Sequence, residues 1–272
     1  MGKIAFVFAG QGAQYPGMGE SLYHISAAAK GVLDAAEGLR PGTIDQCFSG
    51  TAEELAVTKN TQPCLYCADL AAARALEEKG IRPDFVAGFS LGEVAAAAFA
   101  GVFSDAEGFR FVCRRAEAMQ KAAQENPGSM AAILKLSNEQ VEDLCGGFDK
   151  VWPVNYNCPG QLVVAGEPSQ LQAFQDKVKE AGGRAAPLAV SGGFHSPFME
   201  SAARELEQVL DAMELGEPKT PLYANFNAEP YADNARRLLA AQVKSPVRWQ
   251  ETIERLSAQG VDIFIECGPG KT

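Results

Sequence analysis

The chain has 272 residues and a mass of 28.9 kDa, a size that fits one large domain or one domain with an insertion. Hydrophobic residues make up 47% of it, which supplies a core and excludes an intrinsically disordered chain. The formal net charge of −10 disfavours nucleic-acid binding, and the longest apolar stretch, residues 94–103, is too short to span a membrane, which takes roughly 20 residues. The first residues lack a signal-peptide cleavage region, so we expect a cytoplasmic protein.

Strand and helix patterns alternate along the first 125 residues. Continuous apolar runs that stop at glycine or serine predict buried strands over residues 3–9 and 84–89. Periodicity predicts helices over residues 20–38, 64–79 and 91–100, and a capping box of Ser104 and Glu107 opens another helix that ends near residue 124. This alternation indicates an α/β fold with a mainly parallel sheet.

The pattern changes after the turn signal NPG at residues 126–128. Strands are predicted over residues 131–136, 151–155, 161–165 and 184–190, and helices over 138–145 and 169–181. Their order is βαββαβ, which is typical of a ferredoxin-like unit. Beyond residue 193 the earlier pattern resumes, with helices over 197–213, 232–243 and 249–259 and strands over 221–225 and 261–266.

We therefore predict two structural units. An α/β-hydrolase-like catalytic domain covers residues 1–125 and 192–272, and a ferredoxin-like subdomain covering residues 126–191 is inserted into it. The cleft between the two units is the expected ligand site.

The sequence GFSLG at residues 88–92 follows a predicted strand and precedes a predicted helix. This is the spacing of a nucleophile elbow, a tight strand-to-helix turn that exposes a serine hydroxyl beside backbone N–H groups at a helix N-terminus. The five-residue pattern also occurs by chance in loops, but its position between strand and helix favours the functional interpretation. Ser90 is therefore the candidate nucleophile.

A serine nucleophile needs a base within hydrogen-bonding distance, and the chain has only two histidines. His24 lies in a predicted helix and fits an ordinary surface position. His195 lies in the turn-rich segment SGGFHSP at residues 191–197, between a predicted strand and a predicted helix. We therefore favour His195 as the base.

The seven cysteines show no arrangement that predicts a metal or redox site. Cys64 and Cys67 form one CxxC pair, but a structural zinc site normally needs four nitrogen or sulfur ligands, so reduced thiols are the favoured interpretation. The chain's last residues, GPGKT, lack the first glycine of a phosphate-binding P-loop, and we expect no ATP site.

Several motifs, in order along nearly the whole chain, resemble the malonyl-CoA:acyl-carrier-protein transacylases and the related acyltransferase domains of fatty-acid and polyketide synthases. The motifs are FAGQGAQ at 8–14, TQP at 61–63, GFSLGE at 88–93, Arg115 with MQ at 119–120, NYNCPGQ at 155–161, GFHSP at 193–197, SPVRW at 245–249 and ECGPG at 266–270.

The resemblance implies a role for each matching residue. Ser90 carries the acyl group, His195 is its base, and the backbone N–H groups of Gln11 and Leu91 form the oxyanion hole. Gln242 orients the histidine, largely through its backbone carbonyl. From spacing alone, Gln242 also fits an ordinary helix-surface residue.

The resemblance also implies a substrate-binding set of Arg115, Gln62 and Phe194. Helical periodicity places Arg114 opposite the apolar stripe of its helix and Arg115 about a quarter turn from that stripe. Periodicity alone favours a solvated arginine, whereas the resemblance makes Arg115 the ligand of the malonyl carboxylate. An aromatic residue before the histidine, here Phe194, goes with malonyl in the family. Phe89 is a departure, since histidine is usual at that position, and we expect it to pack beside the elbow.

The implied reaction is malonyl transfer from malonyl-CoA to the phosphopantetheine thiol of an acyl carrier protein through a malonyl-serine intermediate, with no cofactor and no metal. We expect a monomer in fatty-acid synthesis, although polyketide synthesis fits the same motifs. Two alternatives stay open: a serine hydrolase or thioesterase on the same elbow, and a catalytically silent module that binds carrier protein. Docking an acidic carrier protein would need a local basic patch, for which the candidates are Lys177, Lys179, Arg184, Lys244 and Arg248.

Overall fold

The computed structural model describes residues 2–190, 192–232 and 234–271. Over these residues the chain forms eight β-strands and twelve α-helices. The strands are β1 Lys3–Phe8, β2 Phe85–Gly88, β3 Ser129–Leu134, β4 Val151–Cys158, β5 Gln161–Gly166, β6 Arg184–Pro187, β7 Leu222–Tyr223 and β8 Val261–Cys267. The helices are α1 Glu20–Ile25, α2 Ala27–Leu39, α3 Thr43–Ser49, α4 Ala52–Ala56, α5 Thr58–Glu78, α6 Leu91–Ala100, α7 Asp105–Glu125, α8 Asn138–Cys145, α9 Pro168–Glu180, α10 Glu200–Asp211, α11 Ala235–Gln242 and α12 Trp249–Ala258.

The first sheet is parallel and has the strand order β7-β2-β1-β8. Its central strand β1 is buried, and Phe6 and Phe8 pack against Phe99 of α6. Helices α5, α6 and α7 contribute most of the surrounding core, since each carries a long series of buried residues. The carboxyl ends of β1 and β2 meet at one edge, which is where ligands bind in open parallel sheets.

The second sheet is antiparallel and has the order β4-β5-β3-β6. Helices α8 and α9 pack on it over a small separate core that includes Ile133, Leu162 and Phe174. Backbone hydrogen bonds connect β4 of this sheet to the segment before α12, with Val247 N donating to Val154 O at 2.8 Å. The α/β class and the mainly parallel first sheet agree with the sequence prediction.

Several element boundaries differ from the prediction. The helix predicted over 20–38 is two helices, because Ser26 is extended and caps α2 by accepting a hydrogen bond from Ala29 N. Helix α5 begins at Thr58 rather than at residue 64, since Pro63 is accommodated in its second turn. The strand predicted over 131–136 ends at Leu134 because Lys135 adopts a φ of 69°.

Other differences concern short elements. Helices α3 and α4 were not predicted, and the strands predicted over 184–190 and 221–225 shorten to β6 and β7. The helix predicted over 197–213 starts as a 3-10 turn at Pro197–Met199 before α10.

The domain limits at residues 1, 191 and 272 and position 233 of the predicted helix 232–243 lie outside the described residues. Within the described ranges, every helix is too short or too polar to cross a bilayer.

The glycine at position 92 should be indispensable to the fold. A Cβ there would lie 2.3 Å from Phe8 O, a backbone atom that cannot turn aside, so we expect Gly92→Ala to lower the free energy of unfolding by about 3 kcal/mol or more. Chemical denaturation measures this. Gly31→Ala in α2 is the control, because a Cβ there meets nothing within 4 Å and alanine favours helix by about 0.5–1 kcal/mol. Equal losses in both variants would contradict the close-contact argument.

Candidate active site

Ser90 lies in the turn that joins β2 to α6. Its backbone has φ 53° and ψ −104°, an unfavourable conformation for a residue with a side chain. Two glycines make the turn possible: a Cβ on Gly88 would lie 2.0 Å from the carbonyl carbon of Gly92, and Gly92 itself abuts β1. The strand, turn and helix together present the serine hydroxyl at the carboxyl edge of the parallel sheet.

The structure brings Ser90 and His195 together although they are 105 positions apart in the sequence. Ser90 Oγ lies 2.7 Å from His195 Nε2. On the other side of the ring, Nδ1 faces two backbone carbonyl oxygens, of Gln242 at 3.0 Å and Ser245 at 3.2 Å. Because carbonyl oxygens only accept, Nδ1 carries the proton, and the Nε2 lone pair therefore faces the serine hydroxyl. His24 is exposed on α1 and takes no part.

The surroundings of His195 keep the imidazole neutral. Burial, with a smaller contribution from the positive charge of Arg115, lowers the pKa of His195 to about 4, although the two carbonyl acceptors oppose the shift. The ring can therefore accept a proton from Ser90 at neutral pH. Its acceptors are neutral, in contrast to the carboxylate of a Ser–His–Asp triad.

Arg115 of α7 is buried, with its guanidinium beside the serine. It donates to Gln62 Oε1 at 2.6 Å, Gln242 Oε1 at 2.7 Å and Ser90 Oγ at 3.2 Å. None of the ion pairs found among the described residues involves Arg115, whereas its neighbour Arg114 is exposed and pairs with Glu205 at 3.2 Å. A planar cation whose partners are all neutral can bind a carboxylate through two parallel hydrogen bonds.

Gln242 of α11 is 1% exposed, which excludes the helix-surface position that spacing alone allowed. Its backbone carbonyl accepts from His195, and its side-chain oxygen accepts from Arg115. Its side-chain nitrogen donates to Ser90 O at 2.7 Å and to Glu93 Oε2 at 2.6 Å. One residue therefore contacts the serine, the histidine and the arginine.

Three further buried residues belong to this network, and sequence reasoning gave none of them a role. Asn225 Oδ1 accepts from Ser90 N at 2.7 Å, and its Nδ2 donates to Gly88 O at 2.6 Å, so it holds both sides of the turn. Glu93 Oε1 accepts from the Tyr231 hydroxyl. The only sequence signal was Glu93 itself, the last residue of GFSLGE; Asn225 and Tyr231 lie about 135 residues away along the chain.

The cleft in front of Ser90 is lined by both sheets and their connections. Gln11, Gln62, Leu91 and Phe194 line it. Leu91 is the first residue of α6, so its N–H has no acceptor within the helix. From the side of the second sheet the cleft is lined by Met130, Asn155, Leu188 and Val190.

Phe89 lines the cleft beside the elbow, and its ring packs edge-on against Trp249 with the centroids 5.7 Å apart. This is the packing position that the sequence suggested for the residue before the serine.

Two other groups of residues lie away from the cleft. Cys64 and Cys67 are buried in α5, and the described residues hold no cluster of three or more metal-ligating side chains. Of the proposed basic patch, Lys177, Lys179, Lys244 and Arg248 each pair with an acidic neighbour.

A buried serine and a neutral histidine at the cleft of an α/β fold form the arrangement of enzymes that carry an acyl group on serine. The family described as "Acyl transferase domain" matches residues 5–270, and the chain belongs to this family.

Individual proteins and solved structures of this family are similar to the chain over nearly its whole length. A "Malonyl CoA-acyl carrier protein transacylase" of Bacillus subtilis is 42% identical over 279 residues, which cover 100% of this chain and 88% of the relative. The solved structure of the enzyme of that name from Clostridium perfringens has a TM-score of 0.95 and 36% identity, covering 99% of this chain and 87% of that one. A malonyl-transacylase solved with a type II PKS acyl-carrier protein has a TM-score of 0.93 and 38% identity, covering 98% and 89%.

Two buried groups, Glu93 and His195, should make the free energy of unfolding depend on pH in opposite directions. Burial raises the pKa of Glu93 to about 7, so its contribution is fully present below its ordinary pKa of 4.5 and is lost as the pH rises through 7. His195, with its lowered pKa, contributes stability above its ordinary value of 6.5 that is lost as the pH falls through 4. Each changes the free energy of unfolding by about 3 kcal/mol over its own pH range, and because the two changes have opposite signs they largely cancel in wild type.

Single variants should separate the two contributions. Acidification from pH 7 to 4.5 is expected to reduce the unfolding free energy of Glu93→Gln, since only the histidine contribution remains, and to increase that of His195→Asn. Urea denaturation at each pH gives the free energy of unfolding. The difference between each variant and wild type, plotted against pH, gives the two slopes. Parallel curves for all three proteins would refute the assignment of these ionisations.

Proposed function

We propose that the protein transfers the malonyl group of malonyl-CoA to the phosphopantetheine thiol of an acyl carrier protein through a malonyl-serine intermediate. The observation that carries the proposal is the Arg115 guanidinium, buried, held only by neutral acceptors and 3.2 Å from Ser90 Oγ. An enzyme for neutral acyl groups would gain nothing from burying a cation beside its nucleophile, since an unpaired buried charge costs several kcal/mol. Membership of the acyltransferase family and the names of the relatives support it.

In the first half-reaction, His195 Nε2 accepts the proton of Ser90 while Oγ attacks the thioester carbonyl carbon. Negative charge develops on the carbonyl oxygen, and the backbone N–H groups of Gln11 and Leu91 stabilise it; that both residues line the cleft supports this role. The tetrahedral intermediate collapses, the carbon–sulfur bond breaks, and CoA leaves as a thiol with the proton that His195 had accepted. The product is a malonyl ester on Ser90.

In the second half-reaction, the phosphopantetheine thiol of the carrier protein takes the place of CoA. His195 accepts the thiol proton as sulfur attacks the ester carbonyl, and it returns that proton to Ser90 Oγ when the ester bond breaks. The same base and the same N–H groups serve both half-reactions. Because CoA leaves before the carrier thiol reacts with the malonyl-serine ester, the mechanism is ping-pong.

Arg115 binds the free carboxylate of the malonyl group. The carboxylate replaces neutral acceptors with an anionic one, which forms stronger hydrogen bonds with the guanidinium. Gln62, which accepts from Arg115 at 2.6 Å, holds the guanidinium towards the cleft, and Phe194 limits the volume beside the α-carbon of the acyl group.

We further propose the domain division of the sequence analysis: an α/β-hydrolase-like domain over residues 1–125 and 192–272 and a ferredoxin-like subdomain over residues 126–191. The antiparallel order β4-β5-β3-β6, its βαββαβ connectivity and its separate core support the second unit. The protein would act in the cytoplasm as a monomer, in fatty-acid synthesis, without metal or cofactor.

Intact-mass analysis after addition of malonyl-CoA tests the intermediate. Wild type should gain one malonyl group, which a thiol acceptor such as holo acyl carrier protein then removes, while Ser90→Ala should gain none. Dominant release of free malonate would identify a hydrolase, and the absence of any adduct on wild type would identify a silent binding module. Either result rejects the proposal.

Replacement of the arginine should change selectivity. We expect Arg115→Ala to reduce kcat/KM for malonyl-CoA at least a hundredfold more than for acetyl-CoA, because only malonyl loses a charge-assisted carboxylate contact worth about 3 kcal/mol. Arg114→Ala is the matched control, since Arg114 is exposed on the same helix. Equal losses for the two substrates in Arg115→Ala would remove this residue from carboxylate binding.

A further inference from the structure

Glu93 is a buried carboxylate that takes no part in the transfer steps. It lies in the first turn of α6, three residues after the nucleophile, and none of its surface is exposed. Its Oε1 accepts from the Tyr231 hydroxyl, and its Oε2 accepts from Gln242 Nε2 at 2.6 Å and from Asn225 N at 3.2 Å. Burial of a carboxylate costs free energy unless it is hydrogen-bonded, and a buried network whose members are all hydrogen-bonded fixes their positions. Glu93 is therefore suited to holding its neighbours in place.

The Gln242 side chain connects this carboxylate to Arg115. Its Nε2 faces Glu93 and its Oε1 faces the guanidinium at 2.7 Å. An ionised carboxylate only accepts hydrogen bonds and a guanidinium only donates them, so this orientation of the amide is the single one that satisfies both neighbours. Glu93 is thus the negative charge nearest in the network to Arg115, separated from it by one amide group.

The strength of this hold depends on the charge of Glu93. An ionised carboxylate accepts a charge-assisted hydrogen bond from Gln242 Nε2, whereas a protonated carboxyl forms only a weaker, neutral one and leaves Ser90 O, at 2.7 Å, as the other acceptor of Nε2. The amide, whose Oε1 is one of the three acceptors of Arg115, is then held less tightly. A neutral Glu93 therefore leaves the arginine less firmly placed for a carboxylate ligand.

We propose that Glu93 is a positioning residue for malonyl selection, whose ionised carboxylate fixes the Gln242 amide and thereby holds the Arg115 guanidinium beside the Ser90 hydroxyl. The inference rests on the proposed malonyl transfer. Glu93 contacts neither the substrate nor the reacting atoms, and its effect reaches the acyl group only through Gln242 and Arg115.

The test is the pH dependence of a ratio. The groups that face Glu93 are Arg115 from α7, Tyr231 from the segment after β7, and the neutral Asn225 and Gln242. Burial lowers the pKa of Arg115 to about 10, and the pKa of His195 is about 4, so Glu93, at about 7, is the group of this network that titrates between pH 6 and 8. The ratio of kcat/KM for malonyl-CoA to that for acetyl-CoA cancels every ionisation of the CoA moiety, which both substrates share.

In wild type the ratio should fall on the order of tenfold as the pH is lowered through about 7. The fall should appear as a higher KM for malonyl-CoA. Glu93→Gln should give a low ratio that does not change with pH. Tyr231→Phe removes a hydrogen bond that lowers the pKa of Glu93, so its midpoint should move to higher pH. Glu117→Gln, an exposed position on α7, should match wild type.

A flat ratio in wild type, an unshifted midpoint in Tyr231→Phe, or a wild-type ratio in Glu93→Gln would each overturn the proposal. If Glu93→Gln does not fold, wild type and Tyr231→Phe still decide. Failure of the proposed function would look different, because wild-type Ser90 would then acquire no malonyl group at any pH in intact-mass analysis.

Discussion

The burial of one guanidinium beside one hydroxyl is the constraint on which the site depends. Arg115 is removed from water, which disfavours its charge, yet the groups at hydrogen-bonding distance are amide and hydroxyl oxygens. These acceptors bind the two terminal nitrogens of the guanidinium without neutralising it, while Arg115 Nε has no hydrogen-bond partner. The site therefore retains an attraction for an incoming anionic group, which a direct ion pair would have cancelled.

The same cation affects the base. Arg115 and burial together keep the imidazole of His195 unprotonated, while backbone carbonyls rather than a carboxylate orient it. Both His195 and Ser90 have positive φ angles, of 59° and 53°. The fold thus holds two strained residues in contact. Ser90 N donates to Asn225 Oδ1 and His195 N donates to Val243 O, and these two hydrogen bonds help to offset the strain.

Much of this arrangement could be predicted from the sequence, for reasons that differ between residues. The elbow was recognisable because a tight turn needs glycines at fixed offsets from Ser90, and the base because only two histidines were available. Helices α6, α7 and α8 were predicted to within about one residue at each end. The short helices α3 and α4 and the break at Ser26 were not, since five to seven residues carry too little periodicity and one capping hydrogen bond from Ala29 N marks the break.

The residues that escaped prediction share a physical cause. Asn225 and Tyr231 act through hydrogen bonds to residues about 135 positions away, and no local pattern of spacing encodes such a contact. The burial of Gln242 could not be predicted from its own helix either, because its side-chain partners Glu93 and Arg115 belong to α6 and α7. A polar residue in a helix carries no sign of whether tertiary structure will place it in water or in a network.

The contribution of two sheets to one cleft separates reactive groups from the wall that faces them. The hydroxyl, the imidazole and the guanidinium come from the turn before α6, the segment before α10 and helix α7, while Met130 and Asn155 come from strands of the antiparallel sheet. Substitutions in those two strands would therefore alter the shape of the cleft without replacing any group that reacts, so steric preference and reactivity can be engineered independently.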